Sequence, residues 1–469
     1  MIMAFVLQPF REPQATPRSA APRLPRFAAS FPAVLVLLCA GPARASEGLG
    51  RELSLPWVLP FVLMLLVIAL APLLLPHWWE SNRNKAIPAI ALALPVAVFL
   101  LAQAPHELLH SGKEYLSFII LLSSLFVISG GIRIRMDVQA TPGVNTSFLL
   151  LGAALASFMG TTGAAMLLIR PLLDTNQERT RVVHTVIFFI FMVGNTGGCL
   201  TPLGDPPLFM GYLAGVPFFW FFSLWPEWLV LNLGLGALYY LLDRFHYARE
   251  PAAALALDRA RIRRPEVLGL VNLPLLLCVV LSVAFLHEGV APFPVREIVL
   301  LALAAASWKL TPETLRKENR FTFHPIIEVA VLFFGIFITM IPTLLILRAR
   351  GGELGIDSPA SYFWATGLLS SFLDNTPTFV VFFALGQSVG VAAGQTPVAA
   401  TGISELLLRA VSLGAVFMGA NTYIGNAPNF MIKAIAEERA IQMPSFFGYM
   451  LYPLAVLLPL FVLLTFLFL

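Results

Sequence analysis

The chain has 469 residues, of which 58% are apolar and 12% are charged, and its mean hydropathy is +0.82. Soluble domains carry about 25% charged residues, so the composition excludes an ordinary soluble protein and predicts an all-α polytopic membrane protein within a lipid bilayer. The net charge of +4 lies on no basic soluble domain, which argues against a nucleic-acid partner. The three cysteines are far apart and predict neither a disulfide nor a metal site.

The first segment, residues 1–45, has the pattern of a secretory signal peptide. Four arginines precede an apolar run from Phe27 to Ala40, and Ala43-Arg44-Ala45 supplies small residues at a cleavage site. We expect cleavage after Ala45. The alternative is an uncleaved first helix.

Ten apolar stretches follow, and each is read as a transmembrane helix, which needs ~20 residues. Two of these, 183–215 and 405–437, are interrupted by glycine, proline and polar residues and are predicted to be broken helices. Two further apolar segments, 147–173 and 359–386, carry polar clusters at their centres and are predicted to be re-entrant hairpins. The uninterrupted spans are expected near 56–76, 86–103, 115–133, 226–246, 266–286, 295–311, 325–347 and 445–469.

A repeated motif relates the two broken helices. The pattern T-x-[LI]-G-[DN]-x-P-x-F-M occurs at 201–210 and again at 422–431. The hairpins also match, because residues 157–162 align with 371–376. The elements have the same order in 46–246 and 266–469, so we predict two repeats of five transmembrane helices, joined by a cytoplasmic linker at 247–265. An odd number of spans inverts the second repeat relative to the first. Coincidental similarity between glycine- and proline-rich segments is the alternative.

The distribution of basic residues tests this topology, because Lys and Arg favour the cytoplasmic side. With the mature N-terminus outside, nineteen Lys and Arg residues fall on inner loops and six fall outside. The sequence therefore predicts a multi-pass protein of the inner membrane with both the mature N-terminus and the C-terminus in the periplasm.

Two carboxylates lie in the interrupted segments, where a charge costs at least ~2.5–3.5 kcal/mol at the bilayer centre. Asp205 follows the break of the first broken helix, and Asp374 lies at the tip of the second hairpin. Each has an alternative role as a helix cap or turn residue. The predicted binding site adds neutral oxygen ligands at Thr161, Thr162, Asn195, Thr196, Thr201, Asn375, Thr376, Asn421, Thr422 and Asn426.

Hard cations prefer oxygen ligands of this kind, so a sodium ion is expected at Asp374, Asn375 and Asp205. A desolvated carboxylate also takes up protons. Competition between a sodium ion and a proton for one carboxylate is sufficient for antiport if the site alternates its exposure.

Four motifs resemble the ion transporter superfamily, and within it the NhaD-type sodium/proton antiporters and the related CitMHS-like citrate transporters. They begin at Gly194-Asn195-Thr196, Leu203-Gly204-Asp205, Leu373-Asp374-Asn375 and Gly419-Ala420-Asn421. The resemblance implies a homodimer with a scaffold, a moving transport domain of hairpins and broken helices, and elevator-like alternation. Dicarboxylate members of that superfamily carry Ser-Asn-Thr at the hairpin tips, whereas this chain has Gly160-Thr161-Thr162 and Asp374-Asn375-Thr376.

The leading hypothesis from the sequence is a secondary transporter that exchanges sodium for protons. The alternative is a citrate or other carboxylate carrier coupled to sodium or protons, with anion binding at helix N-termini and assistance from Arg409. Arsenite efflux is a weaker alternative. No catalytic motif points to an enzyme, and we expect no cofactor beyond the transported ions. A channel is disfavoured by the repeated broken helices.

Overall fold

The computed structural model describes residues 46–287, 289–391, 395–399 and 401–469. The predicted signal peptide lies outside these described residues. Within them the protein is mostly helical. In this described part of the chain, seven helices are long and apolar enough to cross a membrane: Leu55–Leu74, Asn82–Gln103, Pro105–Ser129, Pro142–Met159, Phe218–Tyr247, His324–Leu354 and Phe446–Phe468.

The ten predicted spans and these seven helices differ for identifiable reasons. The broken helices are divided into pieces of 8 to 14 residues, too short to span alone. Two unbroken helices, Asn272–Phe285 and Val295–Leu310, contain only 14 and 16 residues. Pro142–Met159 qualifies by length and composition, although the sequence assigned it to a hairpin arm.

The first part of the chain contains helices at Ser46–Glu52, Leu59–Leu74, Pro76–Trp79, Asn82–Gln103 and Pro105–Ser129. The first hairpin consists of Pro142–Met159 and Thr161–Thr175, which pack against each other about Gly160. Gly160 has a φ of +82°, a conformation that favours glycine. The first broken helix consists of Val183–Met192, a 3₁₀ turn at Thr196–Cys199, and Pro206–Leu213; a 3₁₀ turn at Phe218–Leu224 and the helix Trp225–Tyr247 follow.

The second part also has a hairpin, a broken helix and a final long helix in that order. Its helices are Asn272–Phe285, Val295–Leu310, Glu313–Glu318 and His324–Arg350, with 3₁₀ residues at Gly351–Leu354. The second hairpin consists of Pro359–Ser370 and Asn375–Val389. The second broken helix consists of Glu405–Met418, a 3₁₀ turn at Gly419–Asn421, and Ala427–Glu438, and Phe446–Phe468 ends the chain.

A two-stranded sheet corrects the purely helical expectation. Arg133–Asp137 pairs antiparallel with Arg263–Leu268. The helix predicted from residue 266 therefore begins later, at Asn272, because its first residues form this strand. The apolar run of the sequence did not distinguish the two structures, since Val267 and Leu268 fit either one.

The segment between the two halves is packed against the protein rather than extended. It contains the helix Ala252–Ala260, and the Asp258 carboxylate accepts hydrogen bonds from the Ala140 N–H at 3.2 and 3.3 Å. Glu250 accepts hydrogen bonds from the backbone N–H groups of Thr180 and Arg181, both at 3.0 Å. The linker is thereby attached to both ends of the first hairpin.

The broken helices lie at the centre of the molecule. Every residue of 186–193 is at most 1% exposed. In contrast, Asn82–Gln103 has a row of exposed apolar side chains at Ile87, Ile90, Leu94 and Val98. Apolar residues that remain exposed along one helix face are expected to contact lipid, so Asn82–Gln103 lies at the lipid-facing outside of the protein, whereas the first helix of the first break is enclosed.

Candidate ion- and substrate-binding site

The break of the first broken helix is a compact turn built on glycine. After Val183–Met192 the chain turns through Thr196–Cys199 and resumes as a helix at Pro206. A Cβ atom on Gly204 would overlap the carbonyl oxygen of Gly198. Pro206 and Pro207 occupy the first helical positions, where the missing N–H groups need no partner.

The break of the second broken helix has related internal contacts. An added Cβ on Gly425 would lie 2.6 Å from the Gly419 carbonyl oxygen, and one on Gly204 would lie 2.2 Å from the Gly198 carbonyl oxygen. The Thr422 hydroxyl accepts a hydrogen bond from the Gly425 N–H at 3.1 Å, and the Thr201 hydroxyl accepts one from the Leu203 N–H at 3.1 Å. Both copies of the motif therefore combine a glycine packed against a carbonyl with a threonine that accepts a backbone hydrogen bond.

Each hairpin tip forms hydrogen bonds with the break in its own half of the chain. In the first half, the Thr161 N–H donates to the Gly204 carbonyl at 2.8 Å, and the Thr201 hydroxyl donates to the Ser157 carbonyl. In the second half, the Thr422 hydroxyl donates to the Ser371 carbonyl, and the Asn421 amide donates to the Ser371 hydroxyl at 2.9 Å. Thr201, Asn421 and Thr422 thus join hairpin to break.

Asp205 is fully buried and receives hydrogen bonds from both halves. The Thr161 hydroxyl of the first hairpin donates to Oδ1 at 2.9 Å, and the Asn375 amide of the second hairpin donates to Oδ2. The Asn426 amide of the second break lies 3.5 Å from Oδ1. One carboxylate therefore joins two hairpins and two breaks.

Four helix N-termini converge on this carboxylate. Asp205 precedes Pro206–Leu213, and its three donors lie at the starts of Thr161–Thr175, Asn375–Val389 and Ala427–Glu438. The N-terminus of a helix carries a partial positive charge and free N–H groups. The centre is thus suited to negative charge, whether it is that of Asp205 or of a bound anion.

A chain of buried amides extends from Asp205 across the two breaks. Asn426 donates to the Asn195 side-chain oxygen at 3.1 Å, and Asn195 donates to the Asn429 side-chain oxygen at 2.7 Å. Asn429 in turn donates to the carbonyls of Gly419 and Thr422, at 2.8 and 2.9 Å. Asn195 is thereby fixed in orientation, because its oxygen accepts from Asn426 and its amide nitrogen donates to Asn429.

Two buried oxygens at the tip of the second hairpin accept no hydrogen bond within the described part of the chain. They are the side-chain oxygen of Asn375 and the hydroxyl oxygen of Thr376. The Asn375 amide nitrogen already faces Asp205, so its oxygen remains available. A buried polar atom without a partner costs about 1–3 kcal/mol, and a cation bound between such oxygens would remove that cost.

Asp374 lies at the same hairpin tip but has a capping contact. Its Oδ1 accepts a hydrogen bond from the Thr376 N–H at 3.0 Å, at the start of Asn375–Val389. Its charge acts on Asp205 electrostatically. Within the described ranges no three His, Cys, Asp or Glu side chains converge, so a sodium ion here would depend on amide and hydroxyl oxygens as well as on these carboxylates.

Other candidates lie apart from Asp205. The Thr196 hydroxyl donates to the Asn232 side-chain oxygen at 2.8 Å, and Thr162 forms no hydrogen bond through its side chain in the described ranges. Arg409, a potential anion ligand, instead contacts Glu227 at 2.5 Å and Glu405 at 3.3 Å.

Three residues of the network were absent from the predicted site. Ser157 and Ser371 connect the hairpins to the breaks, and Asn429 orients Asn195. The two serines occupy equivalent positions of the aligned hairpins, which is a signal that the sequence offered. Asn429 also had a signal, because it is a polar residue where the first motif has Leu208.

The geometry of two hairpins meeting two broken helices can be compared with known families. Residues 50–469 match the family model described as "Putative citrate transport". The chain belongs to this family. No curated protein matches the chain at a significant level. Membership of a transport family agrees with the prediction of a transporter rather than an enzyme, and it supports the citrate alternative more than the antiport hypothesis.

Proposed function

We propose that the protein is a secondary active carrier of citrate or a related carboxylate, coupled to sodium ions or protons at Asp205. The observation that carries this proposal is the buried Asp205 carboxylate at the convergence of four helix N-termini, in contact with the second hairpin tip, which has two buried oxygens that accept no hydrogen bond within the described ranges. Asn375 and Thr376 supply those oxygens, and Asp374 adds charge at the same tip. This set matches the oxygen ligands that hard cations prefer.

Coupling follows from the electrostatics of the site. An ionised Asp205 repels an anionic substrate, whereas a sodium ion or proton bound there cancels the repulsion. The helix N-termini then hold the substrate carboxylate, as they do in other carriers with broken helices. Because the coupling free energy is reciprocal, substrate must also raise the affinity for the cation.

The proposed mechanism of alternation relies on the two-fold character of the chain. The repeats 46–246 and 266–469 are proposed to be inverted, with re-entrant hairpins and a cytoplasmic linker at 247–265. The hairpins and broken helices form the moving domain, and the other helices form a scaffold that mediates dimerisation. The excess of basic residues on one set of loops supports an inner-membrane orientation with both termini in the periplasm.

Sodium:proton antiport is the second candidate function. The observation in its favour is that no arginine or lysine donates to the Asp205 cluster within the described residues, and Arg409 is occupied by Glu227 and Glu405. A site of this composition is sufficient to bind sodium or a proton alone.

The test uses purified protein in liposomes that contain a pH-sensitive dye. Labelled citrate is added with sodium, lithium or potassium outside, with and without a pH gradient. We expect citrate uptake that depends on sodium or on the proton gradient. A pH response to sodium without citrate, and no citrate uptake, would replace the carboxylate carrier by an antiporter. If neither citrate uptake nor a pH response to sodium is observed, both proposed functions are rejected.

A further inference from the structure

A second charged site lies away from the Asp205 cluster. It is a cavity between the end of Pro105–Ser129, the strand Arg133–Asp137 and the second arm of the first hairpin. Four arginines line it together with one carboxylate, and we name it the arginine cavity: Arg133, Arg135, Arg170, Arg439 and Asp174.

Part of this positive charge is neutralised by ion pairs. Arg439 contacts Asp174 at 2.8 Å, and Arg135 contacts Glu318 at 2.5 Å and Glu266 at 3.8 Å. Nearby, Arg320 contacts Glu438 at 2.7 Å. These pairs leave two guanidinium groups incompletely satisfied.

Arg170 is the first of them. It is partly buried, and within the described ranges its side chain forms no hydrogen bond or ion pair. The charges that act on it are those of Arg133, Arg320, Arg439 and Glu438, so repulsion predominates. Arg133 is the second. Its Nη1 is buried without a hydrogen-bond acceptor, although the Glu318 carboxylate lies 3.5 Å away.

The size of the cavity limits its ligand. Its volume is about 40 Å³, and a water molecule needs roughly 10–15 Å³ by the same measure. The space fits a single carboxylate or phosphate group. Arginine guanidinium groups bind these planar or tetrahedral oxyanions through paired hydrogen bonds.

We propose that the arginine cavity is an oxyanion-binding site, in which Arg170 and Arg133 hold a carboxylate or phosphate group. The group would connect the first hairpin with the strand Arg133–Asp137. A soluble anion and the headgroup of an anionic lipid share this chemistry. The proposal does not rest on transport of citrate, because the cavity and the Asp205 cluster have no residue in common.

The experiment measures the rate at which phenylglyoxal, a reagent for guanidinium groups, labels individual arginines of the full chain, followed by peptide mass spectrometry. Phosphate and citrate are the probes, and sodium chloride of equal ionic strength is the control. We expect both probes to slow the labelling of Arg170 and Arg133 but not of Arg259, which is exposed on the linker helix. Unchanged labelling of Arg170, or equal protection of Arg259, would contradict the proposal.

Variants supply a second measurement. Phosphate should raise the unfolding midpoint of the wild type and of Arg259→Gln alike, whereas Arg170→Gln should weaken phosphate binding roughly tenfold through loss of a charge-assisted hydrogen bond. Equal phosphate affinity in all three proteins would overturn the assignment.

Two further experiments determine where the anion binds and whether it comes from a lipid or from solution. Protection of Arg170 should persist in Asp205→Asn, and its loss there would move the anion to the central site and reject the cavity. Protection by phosphatidylglycerol nanodiscs relative to phosphatidylcholine nanodiscs, without added phosphate, would identify a lipid headgroup. Protection by free anion in delipidated detergent would identify a soluble one.

Discussion

The two breaks share a close glycine contact but differ in chemistry. Both place a glycine against a carbonyl, at Gly204 and Gly425, and both anchor a hairpin through a threonine hydroxyl. At equivalent motif positions, however, the first has Asp205 and the second has Asn426. The carboxylate collects hydrogen bonds from three other segments, while the amide donates to Asp205 and Asn195.

This difference separates architecture from function. The glycine and the threonine that the two motifs share maintain the break and bind the hairpin tip, so they are needed in both halves. What differs places one negative charge at the meeting point of the two hairpins and the two breaks. A carrier that binds a cation at one position needs one such charge rather than two, because a second carboxylate 3.5 Å away would repel the first.

The largest expected effect is on transport by Asp205→Asn. Loss of the charge should abolish coupled flux and weaken the apparent sodium affinity about ten- to a hundredfold, the equivalent of about 1.5–3 kcal/mol for an interaction with a charged group. Liposome flux measures both values, and Asp357→Asn on an exposed loop is the matched control. Wild-type coupling in Asp205→Asn would return Asp205 to a structural role.

Exchange of the two side chains is the second test. We expect the double variant Asp205→Asn with Asn426→Asp to remain inactive, because Thr161 and Asn375 donate to position 205 and not to position 426. Citrate and sodium fluxes in liposomes measure the outcome. Recovery of coupled transport would mean that the two breaks are functionally interchangeable.

Asp374→Asn should lower coupled transport less than Asp205→Asn while leaving the fold intact. Asparagine is as good a helix cap as aspartate, so the hydrogen bond from the Thr376 N–H can be retained. Only the charge that acts on Asp205 is lost. The flux and the unfolding midpoint are measured together, and a large drop in the midpoint would show that Asp374 is mainly structural.

Gly204→Ala and Gly425→Ala compare the shared parts of the two breaks. Each new methyl group meets a backbone carbonyl, at Gly198 and Gly419 respectively, and overpacking costs about 1–3 kcal/mol. We expect both variants to unfold at lower temperature, with Gly204→Ala the more affected because its overlap is closer. Gly143→Ala is the control, since nothing lies within 4 Å of its added Cβ. An effect in only one break would contradict their structural equivalence.

The smallest expected effect is that of Thr201→Val and Thr422→Val. Each removes a hydroxyl that donates to a hairpin carbonyl, Ser157 or Ser371, and accepts one backbone N–H, and each lost hydrogen bond costs about 0.5–1.5 kcal/mol. The two variants should lower the unfolding midpoint by similar amounts. A transport defect without a change in midpoint would instead make one threonine a ligand of the substrate or ion.

Much of the site was predictable because its motifs interrupt apolar sequence. Asp205, Asn375, Thr161 and Asn426 were singled out from the sequence, and the structure brings them together. The paired glycines and prolines marked both breaks. The sequence also predicts Thr196 and Thr162 as ligands because they are polar residues in apolar segments. Neither donates a hydrogen bond to Asp205, since residue type alone does not specify where a side chain points.

The amino-acid sequence by itself determined the class of protein, the order of its elements and the positions of its two breaks. These features follow from hydropathy and from backbone preferences, which act over a few residues. Only the tertiary structure decided which polar groups meet: that Asn375 faces Asp205 from 170 positions away, that Asn429 orients Asn195, and that Arg133–Asp137 pairs with Arg263–Leu268. Such contacts form between segments that are far apart in the chain. They depend on how those segments pack, which the local sequence around each residue does not specify.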